Sequence, residues 1–138
     1  MSSMNHIYLA NALVTDSEGR MLAVRKKNSK YFQMVGGKID EGEEPLETLR
    51  REFLEEINID IDLHHVTLLG KHTTTAVNEE KTQVHANVFH VHLNSLETLK
   101  IASEIEEMAW ITKEDYQNYQ LAHLLEEFSL PIWIKLEF

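Results

Sequence analysis

The chain has 138 residues, 43% of them hydrophobic and 26% charged, the size and make-up of one compact domain over 1–138 rather than a disordered or fibrous chain. It contains no cysteine, which excludes a disulfide framework, a thiolate metal site and a cysteine nucleophile. A formal net charge of −10 argues against a surface for polymeric nucleic acid, which relies on a basic face.

The opening stretch MSSMNHIYLANALVTD has no basic region ahead of its apolar run. No apolar stretch approaches the roughly 18 residues of a membrane span, so the expectation is a cytoplasmic chain with no membrane partner. Residues 6 to 15, HIYLANALVT, are rich in strand formers, DSEG supplies a turn, and RMLAVRK resumes the extended pattern, which predicts a hairpin. YFQMV at 31–35 reads as another short strand, running into a Gly36-Gly37 loop.

A helix is predicted from Pro45, whose missing N–H is harmless in a first turn, with Glu43 and Glu44 beside its positive end. Leu46, Leu49, Phe53 and Ile57 recur at helical spacing and form one apolar stripe, and Asn58 offers a left-handed cap. Glu52, Glu55 and Glu56 occupy an arc of about 100° beside that stripe. Arg50 and Arg51 could offset them on a solvated face, since exposed pairs are worth only tenths of a kcal/mol. Three carboxylates crowded beside the core gain nothing from that arrangement unless a cation joins them, and hard divalent ions take such oxygen ligands. The residues therefore point to a divalent metal site. Eight of the thirteen Lys and Arg (Arg20, Arg25, Lys26, Lys27, Lys30, Lys38, Arg50, Arg51) surround it, enough for a few of them to hold a small anionic ligand.

Beyond the helix, HHVTLLGKHTTTAV and TQVHANVFHVHL are two β-rich runs separated by the polar NEEK, a second expected hairpin. The His90 and His92 pair lies at strand spacing, which puts both on one face without enclosing a zinc ion. Tyr31, Phe32 and Phe89 are read as core aromatics that could also stack on a base. EEMAWIT reads as one more strand. KEDYQNYQLAHLLEEF has apolar residues at helical spacing with Thr112 placed to cap it, and the apolar tail LPIWIKLEF suits either a packed segment or a homodimer contact. A mixed sheet flanked by helices is the economical architecture.

The acidic stretch also resembles the Nudix box, G-x5-E-x7-R-E-U-x-E-E-x-G-U, where U is a bulky apolar residue. Gly37, Glu43, Arg51, Glu52, Phe53, Glu55, Glu56 and Ile59 fall on it at the right spacing. Asn58 stands where the family has Gly, and Val35 where a proline commonly precedes Gly36. GGKIDEGE is particularly similar to the MutT-type members. The resemblance implies an α/β (α+β) fold of the Nudix α-β-α sandwich type. It also implies Mg²⁺- or Mn²⁺-dependent hydrolysis of a nucleoside diphosphate linked to another moiety, by water attack on phosphorus.

By the same resemblance Glu52 and Glu56 are the main metal ligands, joined by Glu55 and the Gly36 carbonyl. Arg51 orients the glutamates and Glu43 supports the loop or a second metal. Glu104, six residues before Trp110, stands where MutT-type proteins carry a further metal-binding glutamate; its other reading is a solvated loop acid. Glu52 is placed first as general base, with Glu55 and Glu104 as alternatives. Lys38 and Arg25 are candidates for phosphate or base contact. The substrate class implied is a small nucleotide such as a (d)NTP or a nucleotide sugar. A catalytically silent ligand-binding domain of the same fold is the alternative, disfavoured by the intact glutamates. The isopentenyl-diphosphate isomerase branch would need a cysteine this chain lacks.

Overall fold

Period-two alternation of apolar residues builds a six-stranded sheet in the computed structural model, which describes residues 4–76 and 81–137. The strands are β1 (Asn5–Thr15), β2 (Met21–Lys26), β3 (Val35–Lys38), β4 (His65–Thr75), β5 (Thr82–His92) and β6 (Ile105–Ile111). They run in the order β4-β5-β1-β2-β6, with β3 also paired to β1. The β1–β5 pair is parallel and the other pairs are antiparallel, so the sheet is mixed.

Both faces are apolar and each is covered by a helical layer. Ala10, Ala12 and Val14 of β1, with Leu22 and Val24 of β2, pack under Leu49, Phe53 and Ile57 of helix α1 (Pro45–Ile57). Leu13, Met21, Ala23 and Val88 face the other way, against Leu125 and Trp133 of the C-terminal helical segment. The result is the α-β-α sandwich expected.

Several expectations shift in detail. The β1–β2 hairpin forms, yet only Val14–Leu22 and Thr15–Met21 pair in it, because β1 gives the stretch Leu9–Ala12 to β3. YFQMV is not itself a strand: Phe32 and Gln33 make isolated bridges, and the strand begins at Val35 and runs through the two glycines. Gly36 and Gly37 are thus sheet residues opposite Asn11 and Ala10, not a loop. Of the α1 stripe, Leu49, Phe53 and Ile57 are fully buried, whereas Leu46 in the first turn stays 39% exposed. The polar NEEK lies outside the described residues except for Lys81.

The C-terminal helix starts later than its periodicity suggests. Thr112 and Asp115 do cap each other's backbone N–H groups (2.8 and 3.2 Å), but only a short turn follows. The chain then goes extended, since Phe32 N–H donates to the Gln120 carbonyl and Ala122 N–H to that of Phe32 (2.8 and 2.9 Å). A tertiary strand bridge thereby overrides local helix propensity. Helical geometry runs from 123 to 135, with a π-helical stretch Leu125–Ser129 ahead of α2 (Leu130–Lys135). Pro131, which cannot bond to the carbonyl four residues back, accounts for the widened turn. The apolar tail is a packed segment of its own chain at Trp133, which is fully buried and donates its indole N–H to the Gly19 carbonyl at 2.9 Å.

Phe53 is the central aromatic of the core beneath the acidic helix. Phe53→Ala is expected to lower unfolding free energy by about 3–5 kcal/mol, read by denaturant titration.

Candidate active site

The acidic side chains are positioned by the two ends of α1. Pro45 opens it, the Glu47 carboxylate accepts the Glu44 N–H at 3.0 Å, and Asn58 closes it in the left-handed region (φ 58°, ψ 39°). Between these ends the helical wheel grades the glutamates. Glu56 is nearest the apolar stripe, then Glu52, then Glu55, and their exposures follow: 1% for the residue Glu56, and 15% and 53% for the side chains of Glu52 and Glu55.

Glu56 is therefore sealed against β3. Its Oε1 accepts a long bond from Gly36 N–H (3.5 Å), and its Oε2 is buried without a hydrogen-bond partner. Desolvation pushes the carboxyl up to about 8, outweighing the attraction of Lys26, while Glu52 and Glu104 push the same way. Burial also raises Glu52, against the pull of its bond to Arg51.

Gly36 and Gly37 make this closeness feasible. Gly36 has φ +143°, and a Cβ there would sit 2.2 Å from the Ala10 carbonyl oxygen. At Gly37 a Cβ would meet the Glu52 carboxyl at 2.6 Å.

Arg51 ties the cluster together. It donates to both oxygens of Glu43 (2.9 Å each), to Glu52 (2.8 Å) and to the Lys38 carbonyl (3.2 Å), and lies 3.2 Å from Asp40 and 3.5 Å from Glu55. Glu43 also accepts from the Thr48 hydroxyl (2.7 Å) and Asp40 N–H (3.0 Å). The Arg51 bonds, with these two, hold the Glu43 carboxyl down at about 2. The Arg51 guanidinium is in turn held well above its ordinary value, Glu43 being the largest cause.

Glu104 is exposed just ahead of β6, where its charge adds weakly to the rise at Glu56, and among the described residues its side chain bonds to none of the other glutamates. Arg25 does not: it projects from the opposite face of β2, paired with Glu107 (3.1 Å) and bonded to the Ser29 carbonyl (3.0 Å). Lys38 is exposed at the end of β3, opposite Leu9. Phe32 and Phe89 are buried core residues. His90 and His92 both bond the Thr15 hydroxyl at 2.8 Å. Two residues escaped sequence reasoning. Lys26 follows Leu22 and Val24 at strand spacing and faces α1, and Asn11 buries an Oδ1 without a partner. The signal for each was a polar residue at a core-facing or buried strand position.

Asn11 also lines a cavity of about 160 Å³ on the other sheet face, with Leu9, Gln33, Thr74, His123 and Leu124 among its walls. Among the described residues no three His, Asp or Glu side chains are gathered, as placed, tightly enough to enclose an ion, and no helix is long and apolar enough to cross a membrane.

A family model described as the NUDIX domain matches residues 6–130. The chain belongs to the Nudix family. As a Nudix hydrolase it acts on phosphorus-containing acid anhydrides. Its fold is shared with a MutT NUDIX hydrolase from Burkholderia pseudomallei (TM-score 0.74, 21% identity, covering 94% of this chain and 96% of that one). A MutT protein from Methanosarcina mazei Go1 is also similar (TM-score 0.68, 22% identity, 96% and 90% covered). So is an E. coli dihydroneopterin triphosphate pyrophosphohydrolase (TM-score 0.69, 14% identity, 86% and 89% covered). No curated protein matches.

Because burial raises the Glu56 carboxyl from 4.5 to about 8, the folded chain keeps a proton that the unfolded chain loses. The stability this contributes is complete below about 4.5 and is lost as pH rises to about 8. Metal-free protein is expected to lose melting temperature across that window, and Glu56→Gln is expected to flatten the profile; a parental profile that is already flat there contradicts the burial argument. Gly37→Ala, whose Cβ meets only the flexible end of Glu52, is expected to stay folded by circular dichroism while displacing that carboxyl and losing most turnover.

Proposed function

We propose that this Nudix hydrolase is a Mg²⁺- or Mn²⁺-dependent pyrophosphohydrolase of a small nucleotide, a (d)NTP or a nucleotide sugar, in which water attacks a phosphorus of the diphosphate. The observation that carries this reading is the Glu56 carboxyl, wholly buried with one oxygen unpartnered, beside Glu52 and against Gly36. A buried carboxylate without an ion-pair partner is costly, and hard divalent cations take carboxylate and carbonyl oxygens.

The donor set fits such an ion. Glu52 and Glu56 would be its main ligands, with Glu55, the Gly36 carbonyl and Glu104 completing the set. When bound, the ion neutralises charge on phosphate oxygens and acidifies a water. Glu52 is placed first as general base, ahead of Glu55 and Glu104, because burial raises its carboxyl toward the working pH. Arg51 orients Glu52 through a 2.8 Å bond, and Glu43 holds Arg51 in place from its other side.

The cavity suits the ring of the nucleotide. Its walls are mainly apolar, and Asn11 reaches from it to Gly36: the Asn11 amide nitrogen lies 2.7 Å from where a Gly36 Cβ would stand. Lys38, exposed on β3 opposite the cavity residue Leu9, remains a candidate for phosphate contact. Arg25, committed to Glu107, is a weaker candidate. The surroundings proposed are cytoplasmic, and a homodimer is compatible with the exposed Ile134 of the tail.

The test is a phosphate-release screen over (d)NTPs, ADP-ribose, dinucleoside polyphosphates and nucleotide sugars with Mg²⁺ and Mn²⁺. The expected result is metal-dependent turnover of at least one of them, and a drop of about 10²-fold or more in Glu52→Gln with the fold retained. Near-parental activity in that variant rejects the assignment of Glu52. Folded, metal-binding protein that turns over none of them indicates the catalytically silent binding domain instead.

A further inference from the structure

We propose that Asn58 is a positioning residue of the glutamate site: its side-chain amide latches the loop 93–104 onto the C-terminal end of α1, and the latch sets where Glu104 stands relative to Glu56. The inference rests on the metal-dependent reading above. It gives a task to the motif position at which this chain has Asn where the family has Gly.

The backbone at 58 needs no side chain. It is left-handed (φ 58°, ψ 39°), a conformation that glycine adopts with less strain than any other residue. Asparagine there gains over glycine only through what its side chain does. The Asn58 Nδ2 donates to the Thr98 carbonyl at 3.0 Å, across 40 positions of sequence.

Thr98 lies midway along the loop that joins β5 to β6, and most of that loop is exposed, Leu99 being the side chain that packs against the core beneath α1. Backbone bonds hold the rest of it to the helix end. Lys100 N–H donates to the Ile57 carbonyl (3.0 Å) and Ala102 N–H to the Glu56 carbonyl (2.9 Å), so the loop supplies donors to carbonyls that a helix terminus leaves without partners. Three consecutive residues, Glu56, Ile57 and Asn58, thus hold Ala102, Lys100 and Thr98 in a single row. Two of those bonds are available to any residue at 58, and the third needs an amide donor.

Glu104 comes two residues after Ala102, so its backbone stays within about 7 Å of that contact. Its carbonyl accepts the Lys27 N–H at 3.2 Å, and the next residue, Ile105, enters the buried core. Its main chain is therefore tied to the backbone of Glu56, whose carboxyl has an unpartnered oxygen, while its own carboxylate remains exposed. A ligand carried on an exposed loop loses affinity to the ordering of that loop unless the loop is held beforehand. Asn58 does that holding from the end of the helix that carries Glu52 and Glu56.

The experiment compares parental protein, Asn58→Gly, Glu104→Gln and the variant with both changes. Exchange of the Lys100 and Ala102 amide hydrogens is followed by NMR in metal-free protein, Mn²⁺ binding by calorimetry, and kcat and KM on the best substrate of the screen. Asn58→Gly suits the left-handed backbone and is expected to fold with a parental circular dichroism spectrum. Its two loop amides are expected to exchange about 10-fold faster or more, as a locally loosened segment does. Its Kd for Mn²⁺ is expected to rise about 5-fold, within the usual range of coupling between sites, and kcat to fall by more than KM changes. Glu104→Gln is expected to weaken Mn²⁺ at least as much while leaving amide exchange parental. In the double variant the change at 58 is expected to add nothing to the Mn²⁺ Kd, because the latch acts through Glu104.

A merely structural role for Asn58 leaves Mn²⁺ affinity parental in Asn58→Gly, or makes the two changes additive, and either result overturns the proposal. So do parental exchange rates in Asn58→Gly, parental Mn²⁺ affinity in Glu104→Gln, or an Asn58→Gly chain that does not fold. Parental protein that binds no Mn²⁺ sinks the metal-dependent reading and the positioning role with it. That failure shows in the parental protein, whereas failure of the latch alone shows only in the variants.

Discussion

A carboxyl group pressed into a protein interior with one oxygen unbonded is the constraint on which the rest of this molecule depends. Glu56 lies on the edge of the apolar stripe of α1, so packing the helix onto the sheet carries its carboxyl out of water. Natural interiors seldom accept that without compensation. In this chain the compensation is minimal: one long bond from a backbone N–H, a lysine charge that makes no bond, and a proton retained up to about pH 8. Perturbed acids of this kind cluster where function requires them, because the same burial that raises the proton affinity of the group leaves its oxygens uncommitted for a stronger cation.

The surrounding architecture serves to bring charges close without letting them collapse. Two glycines in β3 let the strand backbone approach α1, with the Gly37 position leaving room only for the Glu52 carboxyl. Arg51 spans Glu43 ahead of the helix and Glu52 about two turns into it, so that one guanidinium ties the loop to the helix. Asn11 lies across from Gly36, where its amide nitrogen occupies the space a Cβ would need, and it also lines the cavity.

Much of this was legible in the residues alone, for physical reasons that can be named. The helix from Pro45 to Ile57 and its left-handed Asn58 end were readable because caps and apolar periodicity agree there. The long hairpin of β4 and β5 was readable from β-branched runs. The order in which Glu56, Glu52 and Glu55 lose exposure follows from wheel angle, which spacing supplies. What spacing does not supply is contact with distant segments. Residues 113–122 have helical periodicity, yet Phe32 recruits Gln120 and Ala122 into a strand bridge. Gly36 and Gly37 look like loop residues until Asn11 and Ala10 are known to lie opposite them. Lys26 passed as one of many surface cations, although alternation after Leu22 and Val24 already assigns position 26 to the face of β2 that packs under α1.

The most direct measurement is a crystal structure of the chain grown with Mn²⁺ and a non-hydrolysable nucleotide, with the metal located by its anomalous signal. The account predicts density bounded by the carboxylates of Glu52 and Glu56 and the Gly36 carbonyl, with the unpartnered Glu56 oxygen turned onto the ion and a diphosphate oxygen completing its shell. Manganese bound elsewhere, with Glu56 still facing only the Gly36 N–H and the nucleotide away from β3, contradicts it.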